Sequence, residues 1–356
     1  MRDNATGEPL SYVNVFVVVG GSYKGSASNQ DGYYLISNLF PGEYNVNASI
    51  IGYKMMTNNV ILDKEDEARL DFRLDVSAIE GEEVNVSAER IKFEQSMESS
   101  RISLDLREIN TVPGFIEADV FRTLQMLPGV QSGGDFSSAL YVRGSTPDQN
   151  LIMLDGITVY NPYHLGGIFS TFNTDAIKEA DFHAGGFPAR YGGRMGAILN
   201  VINREGNTEK ITGSGNISLV TGKALIEGPL PKWKGMKGSW LLSGRRTYFD
   251  QFVKLLTGGT GEFPYYFYDY QFKTNLDLGQ NHRLTYTRFY GDDIVRYSGS
   301  DESSNNDGGT SKNKYGIDWP WGNHTNGLTW RWIVSPKMVA KTFLSSSRYR
   351  YDFNFN

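Results

Sequence analysis

Among 356 residues there is no cysteine, which excludes a disulfide scaffold, a thiol nucleophile and a thiolate metal site together. Histidine is nearly as scarce. His164, His183, His282 and His324 lie far apart, with no His-x-x-Glu or His-Glu-x-x-His spacing, so packing or surface roles are expected and no metal centre. No apolar run approaches the roughly 18 to 20 residues that a membrane-spanning helix requires. Mean hydropathy is -0.40. A membrane barrel stays open, because its strands are apolar only at alternate positions. A net charge of -5 spread along the chain offers no basic stripe for phosphates, so nucleic acid is not an expected partner. No triad or paired-carboxylate pattern stands out; neither an enzyme nor a cofactor is expected. Met1 is followed by RDNATGEPL, without the basic and apolar regions of a signal peptide, so the chain is expected to be cytoplasmic or to begin downstream of its true start.

What is present is glycine and aromatic residues: Gly 40, Tyr 21 and Phe 20 describe a chain of turns and aromatic strands. Residues 1–75 read as a small β-sandwich. SYVNVFVVVG alternates Val13, Val15 and Val17 on one face, and Asp31-Gly32 and Pro41-Gly42 mark turns. Residues 76–95 are charge-rich and read as a linker. Within it EEVNVSAE, Glu82 to Glu89, alternates like one short strand with no partner. Residues 96–208 read as a compact α/β domain: ADVFRTLQMLPGV spaces Val120, Leu124 and Leu127 along a helix, and ALYVRG, NLIMLDG, IKEADFHAG and AILNVIN read as strands. GGFPARYGGRMG lacks the Gly-Lys-Ser/Thr ending of a phosphate loop and reads as close-packed turns.

Residues 209–356 change character, to long alternating strands. In QFKTNLDLG, Phe272, Thr274, Leu276 and Leu278 oppose Gln271, Lys273, Asn275 and Asp277; in TNGLTWRWIV, Leu328, Trp330, Trp332 and Val334 oppose Thr329 and Arg331. Such alternation over ~10 residues with aromatic ends fits an outer-membrane barrel strand, and equally an ordinary antiparallel sheet. The stretch Gly299 to Asn313, GSDESSNNDGGTSKN, reads as a solvated loop.

Two resemblances order these segments. TGEPLSYVNVFV, DGYYLISNLFPGEYNV and IGY resemble the carboxypeptidase regulatory-like domain, with a leading strand nearly missing. LQMLPGV, YVRG, LDG and IKEADFHAGGFPARYGGRMGAILNVI, in that order, resemble the plug domain of TonB-dependent outer-membrane receptors. The fold class implied is mainly β and multidomain: a β-sandwich, an α/β plug and the first strands of a large transmembrane β-barrel. About 22 strands would need more than 400 residues, so the chain is expected to hold six or seven of them and to stop within the barrel.

The resemblance implies TonB-dependent uptake of a nutrient of the siderophore, vitamin or oligosaccharide class. It identifies Glu82, Glu83, Val84, Asn85, Val86, Ser87 and Ala88 with the TonB box, a strand left unpaired for addition to the sheet edge of TonB. It places the loop bearing Tyr160, Asn161, Tyr163 and His164 towards the external vestibule, where it would meet the small-molecule or oligosaccharide ligand, although packing on the barrel wall fits that loop as well. Ala184 stands where the family usually carries an arginine that locks plug to barrel; Arg143, Arg190 and Arg194 are the candidates to replace it. The implied surroundings are outer-membrane lipid, a periplasmic amino-terminal domain and, in the glycan-importing branch, a lipoprotein lid. The box region lacks the extended motif of that branch. The competing expectation is a surface or periplasmic binding module that transports nothing.

Overall fold

A computed structural model describes residues 1–63, 67–77, 101–112, 117–134, 137–218, 220–231, 236–258, 264–304, 310–335 and 338–355. The segment 82–88 lies outside them.

The amino-terminal domain is built on a four-stranded antiparallel sheet in which Asn14–Val19 lies between Ser22–Ala27 and Gly42–Ser49, with Met56–Leu62 at the edge. A short parallel pair, Arg2–Asp3 with Arg73–Leu74, stands apart from it. The period-2 valines do what their spacing implies: Val13, Val15 and Val17 are buried with Val46, Ala48 and Phe72. Asp31-Gly32 makes its turn, with Gly32 at φ +77 and its N–H donating to Asn29 O at 2.8 Å. The residues after that turn, YYLI, join no ladder, yet Tyr34 and Ile36 pack on the core. Burial fixed the side chains there without fixing the pairing.

The central domain is a five-stranded mixed sheet in the order Ile157–Thr158, Leu151–Leu154, Ile198–Asn203, Ile177–His183, Arg101–Asp105. Two short helices cover it. Leu106–Thr111 opens with a capping box, Asp105 accepting from Glu108 N and Glu108 accepting from Asp105 N, each at 2.8 Å. Val120–Leu124 is capped by Asp119 and buries Val120, Phe121 and Leu124. The expected continuation to Leu127 is a turn, closed by Gly129 at φ +81. The core gathers Ile109, Phe121, Phe172, Phe182 and Val201, and one residue from outside the domain, Phe289.

That outside residue belongs to an antiparallel sheet of eight strands, called here the wall. Its long members are Thr221–Pro229, Lys237–Thr247, Tyr265–Leu278, His282–Ser304, Thr310–Ser335 and Met338–Tyr351, paired in chain order. The stretch expected as a loop, 299–313, is instead largely ladder: Gly299 pairs with Tyr315 and Ser304 with Thr310. Cross-strand pairing can carry polar residues that local composition marks as coil.

The wall is polarised opposite to a water-soluble sheet. Against the central domain it buries Arg245, Asp269, Gln271, Lys273, Asn275, Thr287 and Asp293; on the other face Leu242, Tyr270, Leu328, Trp330 and Leu344 are exposed. A sheet with an apolar outer face fits lipid, not water. The turns at its two ends also differ. Residues 279–281 join two strands at one end, whereas the helix Phe249–Leu256 follows a strand at the other. The amino-terminal domain meets the short-turn end, through Arg2 with Asp277 at 3.5 Å and Asp31 with Arg331 at 2.9 Å.

Candidate functional site

The chemistry of the molecule is concentrated where the central domain meets the wall. Near the long-loop end, the hairpin formed by Tyr163–His164 and Phe169–Ser170 turns through Leu165 and Gly166, both at positive φ. It presents His164 to two wall strands at once: Nδ1 lies 2.6 Å from Asp293 and Nε2 lies 2.8 Å from Asp269. The ring stacks on Phe267 at 4.0 Å and is 1% exposed. Burial alone would lower the pKa of His164, but the two carboxylates overcome it and raise it to about 9. The ring is therefore an imidazolium at neutral pH, donating from both nitrogens.

Asp269 is shared. Arg245 donates to it from Nε at 2.8 Å, to Glu117 from Nη1 at 2.7 Å and to the Ser170 carbonyl from Nη2 at 2.7 Å. Lys223 lies 3.5 Å from both Glu117 and Asp175. Burial would raise the pKa of Glu117, but Arg245 and Lys223 hold it below the usual carboxylate range. Tyr265 donates to Asp293, and the Leu165 N–H donates to the same oxygen at 3.1 Å. The result is a closed network of alternating charge between the domain and four wall strands, Thr221–Pro229, Lys237–Thr247, Tyr265–Leu278 and His282–Ser304. Each carboxylate has a cation fixed beside it.

A second tie lies further towards the short-turn end. Asp155 and Gly156, at φ +51 and +80, make the two-residue turn between Leu151–Leu154 and Ile157–Thr158. That turn aims the Asp155 carboxylate at the wall, where it accepts from Lys273 Nζ and Thr287 Oγ1, each at 2.9 Å, while Asn203 donates from its own side. At Gly206 a Cβ would stand 2.5 Å from the Trp240 carbonyl, so the chain passes from domain to wall in direct backbone contact.

The expected ligand-facing loop divides. Tyr160 is 56% exposed, and its N–H and that of Asn161 donate to Asn323 Oδ1 at 3.1 and 3.3 Å. Asn161 also lies 3.4 Å from the Tyr349 hydroxyl. Tyr163 and His164 do not face a vestibule: the Tyr163 ring packs on Phe121 and His164 is enclosed by the wall. Consecutive residues of a strand point to opposite faces, so Tyr163 turns to the domain's own core and His164 to the wall.

The arginines expected to lock the two parts are also displaced. Arg143, Arg190 and Arg194 are exposed. The Arg143 N–H donates to Gly129 O at 2.8 Å, Arg190 lies over the Tyr191 ring and lines a cleft of about 550 Å³, and Arg194 donates to its neighbour Gly193 O at 3.1 Å. The domain carboxylates Glu117 and Asp155 instead meet wall cations, Arg245, Lys223 and Lys273, while the wall carboxylates Asp269 and Asp293 meet a domain cation, His164. One signal for them was present in the sequence: Asp269, Gln271 and Lys273 share one face of a strand whose other face is aromatic. The four histidines do not converge, and no cluster able to hold a metal occurs among the described residues.

The short-turn end of the central domain carries the amino-terminal domain. Ser11 donates to Glu179 at 3.0 Å, Gln30 donates to Asp181, Lys178 donates to the Gln30 carbonyl at 3.2 Å, and Arg101 pairs with Asp181 at 2.9 Å. Glu8 accepts from the N–H groups of Glu205 and Gly206 at 2.7 and 3.1 Å.

With that geometry in view, comparison with known proteins gives two family matches. Residues 1–86 match the model of the CarboxypepD_reg-like domain, and residues 107–198 match that of the TonB-dependent Receptor Plug Domain. Among solved structures, the chain is similar to the ferric enterobactin receptor PfeA of Pseudomonas aeruginosa, at 16% identity over 72% of this chain and 41% of that one, with a TM-score of 0.47. It is similar to the alcaligin outer-membrane receptor FauA of Bordetella pertussis, at 12% identity over 74% and 49%, with a TM-score of 0.41. A copper transporter, OprC, is matched at 12% identity over 73% and 47%, with a TM-score of 0.41. The chain spans less than half the length of each.

Proposed function

We propose that the chain, whose residues 107–198 match the TonB-dependent receptor plug domain, forms the gated part of an outer-membrane transporter that imports a nutrient of the siderophore, vitamin or oligosaccharide class. The observation that carries this reading is the pairing of an α/β domain with a wall that buries charge towards it and exposes apolar side chains away from it. A binding module in water would gain nothing from such a wall; a gate in a membrane needs one. The charges also have the form a gate needs, because ion pairs that seal a pore can be exchanged for water once the plug moves.

The outer membrane has no nucleotide supply, so the work of moving the plug has to come from a partner. TonB is that partner in our reading, adding a strand to Glu82, Glu83, Val84, Asn85, Val86, Ser87 and Ala88. Short turns mark the periplasmic ends of barrel strands. The amino-terminal domain touches that end of the wall, which supports a periplasmic position for it. Tyr160 and Asn161, on the loop near the opposite end, are the ligand-facing residues we retain. A lipoprotein lid belongs to the oligosaccharide branch of the proposal and would sit at that same outer end.

The test is binding of the purified protein to the carboxy-terminal domain of TonB. We expect a complex that Val86→Pro abolishes, because proline removes a ladder donor, while the fold and the outer-end contacts stay intact. Equal binding by Val86→Pro would remove the segment from the account.

A further inference from the structure

One strand of the wall, Thr310–Ser335, passes the ligand-facing loop, the central domain and the amino-terminal domain in turn. Residues two apart on it share the face that meets the central domain, and their partners change in order along the strand. Asn323 holds the ligand-facing loop through the N–H groups of Tyr160 and Asn161. Gly327 lets the edge strand Ile157–Thr158 close in, since a Cβ there would stand 2.7 Å from Ile157 Cδ1. Thr329 lines the cleft of about 550 Å³. Arg331 meets the amino-terminal domain, 2.9 Å from Asp31 and with its guanidinium 4.7 Å from the centre of the Tyr33 ring. Because Arg331 pairs with Arg283, beside the turn 279–281, this order runs towards the short-turn end.

The seam between residues 157–161 and the wall is held without charge. Those five residues carry no ionisable side chain except the Tyr160 phenol. Their bonds to the wall are the two at Asn323, the contact of Asn161 with the Tyr349 hydroxyl, and the Ser347 hydroxyl donating to the Thr158 carbonyl at 2.6 Å. Parting such neutral bonds costs less than parting the buried charges around His164 and Arg245.

The seam leads to the cleft, and the cleft ends at the amino-terminal domain. Tyr12, Gln30 and Asp31 line it from that side, facing Asn200 of the central domain and Thr329 and Phe343 of the wall. Its volume is that of a small-molecule site, and a lining of amides, charges and aromatic rings suits a polar solute. The turn that carries Gln30 and Asp31 is stiffened from within: Asn29 Oδ1 accepts from the N–H groups of Asp31 and Tyr33 at 3.0 and 2.9 Å. It is also pinned on both sides. Asp31 holds the wall through Arg331, while Gln30 holds the central domain through Asp181 and Lys178. Arg101 bridges the same contact, donating to Asp181 and to the Tyr12 hydroxyl.

We infer that the amino-terminal domain is an inner cover: its 29–33 turn closes the cleft between central domain and wall. A polar solute leaving Tyr160 and Asn161 follows the 157–161 seam into this cleft and is released when the turn lifts. The inference rests on the transport reading and adds a second closure to it. With two closures in series, a solute can enter the cleft before the inner one opens, and the path need never be open from end to end.

The test uses the full-length protein in lipid nanodiscs and reads the rate at which a hydrophilic maleimide labels Thr329→Cys, inside the cleft. The 356 residues contain no native thiol to compete. Adding Gln30→Ala/Asp31→Ala is expected to raise that rate at least about fivefold, because the turn then opens more often. Adding the carboxy-terminal domain of TonB to the protein with its native turn should raise it as well. Ser170→Cys, fully buried beneath the outer ion pairs, should stay unlabelled throughout, showing that the central domain is still seated. Equal rates with native and altered turns would overturn the cover, as would a native rate matching that of the exposed position Tyr23→Cys. Labelling of Ser170→Cys together with Thr329→Cys would overturn it too, since the whole domain would then be leaving. TonB binding without a change at Thr329→Cys would overturn the release step. Absence of TonB binding would overturn the transport reading, whereas the response to Gln30→Ala/Asp31→Ala judges the cover independently.

Discussion

The central domain is held at two ends by different physics. At the long-loop end its partners are ionic and dry: the side chains of His164, Arg245 and Asp269 are each 2% exposed or less. At the short-turn end the amino-terminal domain touches it through neutral donors, Ser11 to Glu179 and Gln30 to Asp181, and that domain's own ion pair to the wall is wetter, with Asp31 34% exposed where it meets Arg331; among the described residues there, only the Arg283–Glu205 pair beside it is similarly dry. A buried charge whose partner is removed has no water to turn to, whereas a half-exposed one does. The lesson is that the contact with the amino-terminal domain should yield before the outer contact with the wall does.

The comparison breaks most severely at Arg245. Arg245→Ala leaves buried Asp269 with His164 alone and Glu117 with Lys223 alone and should weaken the seating of the central domain by about 3–5 kcal/mol, seen as a fall in its protease-resistance midpoint in denaturant. Asp155→Asn keeps the hydrogen-bonding shape but loses the charge facing Lys273; a smaller loss in the same assay, about 1–3 kcal/mol, is expected. At the inner end, Asp31→Ala should cost about 0–1 kcal/mol. Its detectable effect is earlier proteolytic release of the amino-terminal domain, with the outer end unchanged.

pH sharpens the same contrast. The pKa of His164 is raised, so its stabilisation is complete below the unfolded value near 6.5 and is lost as pH rises through about 9. Glu179 is raised as well: burial, with Asp181 adding, outweighs Lys178 and pushes this carboxyl up. A carboxyl raised in the folded state disfavours that state progressively as pH rises from its unfolded value, near 4.5, through its folded one. Both contacts weaken with rising pH but in different windows: from about pH 5 to 6.5 the amino-terminal contact should loosen while the outer contact holds, measured as separate protease-release profiles for the two domains.

Much of this architecture was legible in the chain. The four strands read from YVRG, LDG, IKEADFHAG and AILNVIN are present, and the alternation of Phe272 and Leu276 against Gln271 and Lys273 is the alternation of the wall. Period and turn chemistry are local, so they can be read without knowing the fold. The site was less legible because it joins residues more than a hundred positions apart: His164 to Asp269 and Asp293, and Asp155 to Lys273. Nothing local distinguishes Glu117 or Arg245 from a solvated charge. The arginines that drew attention sit in a glycine-rich turn, where exposure is the ordinary outcome.

The most direct test is hydrogen exchange on the membrane-embedded protein with and without the carboxy-terminal domain of TonB. The account predicts faster exchange in the inner strands Arg101–Asp105 and Ile177–His183 on TonB binding, with residues 163–170 still protected. Loss of protection at 163–170 first, or exchange that TonB leaves unchanged throughout, would contradict it.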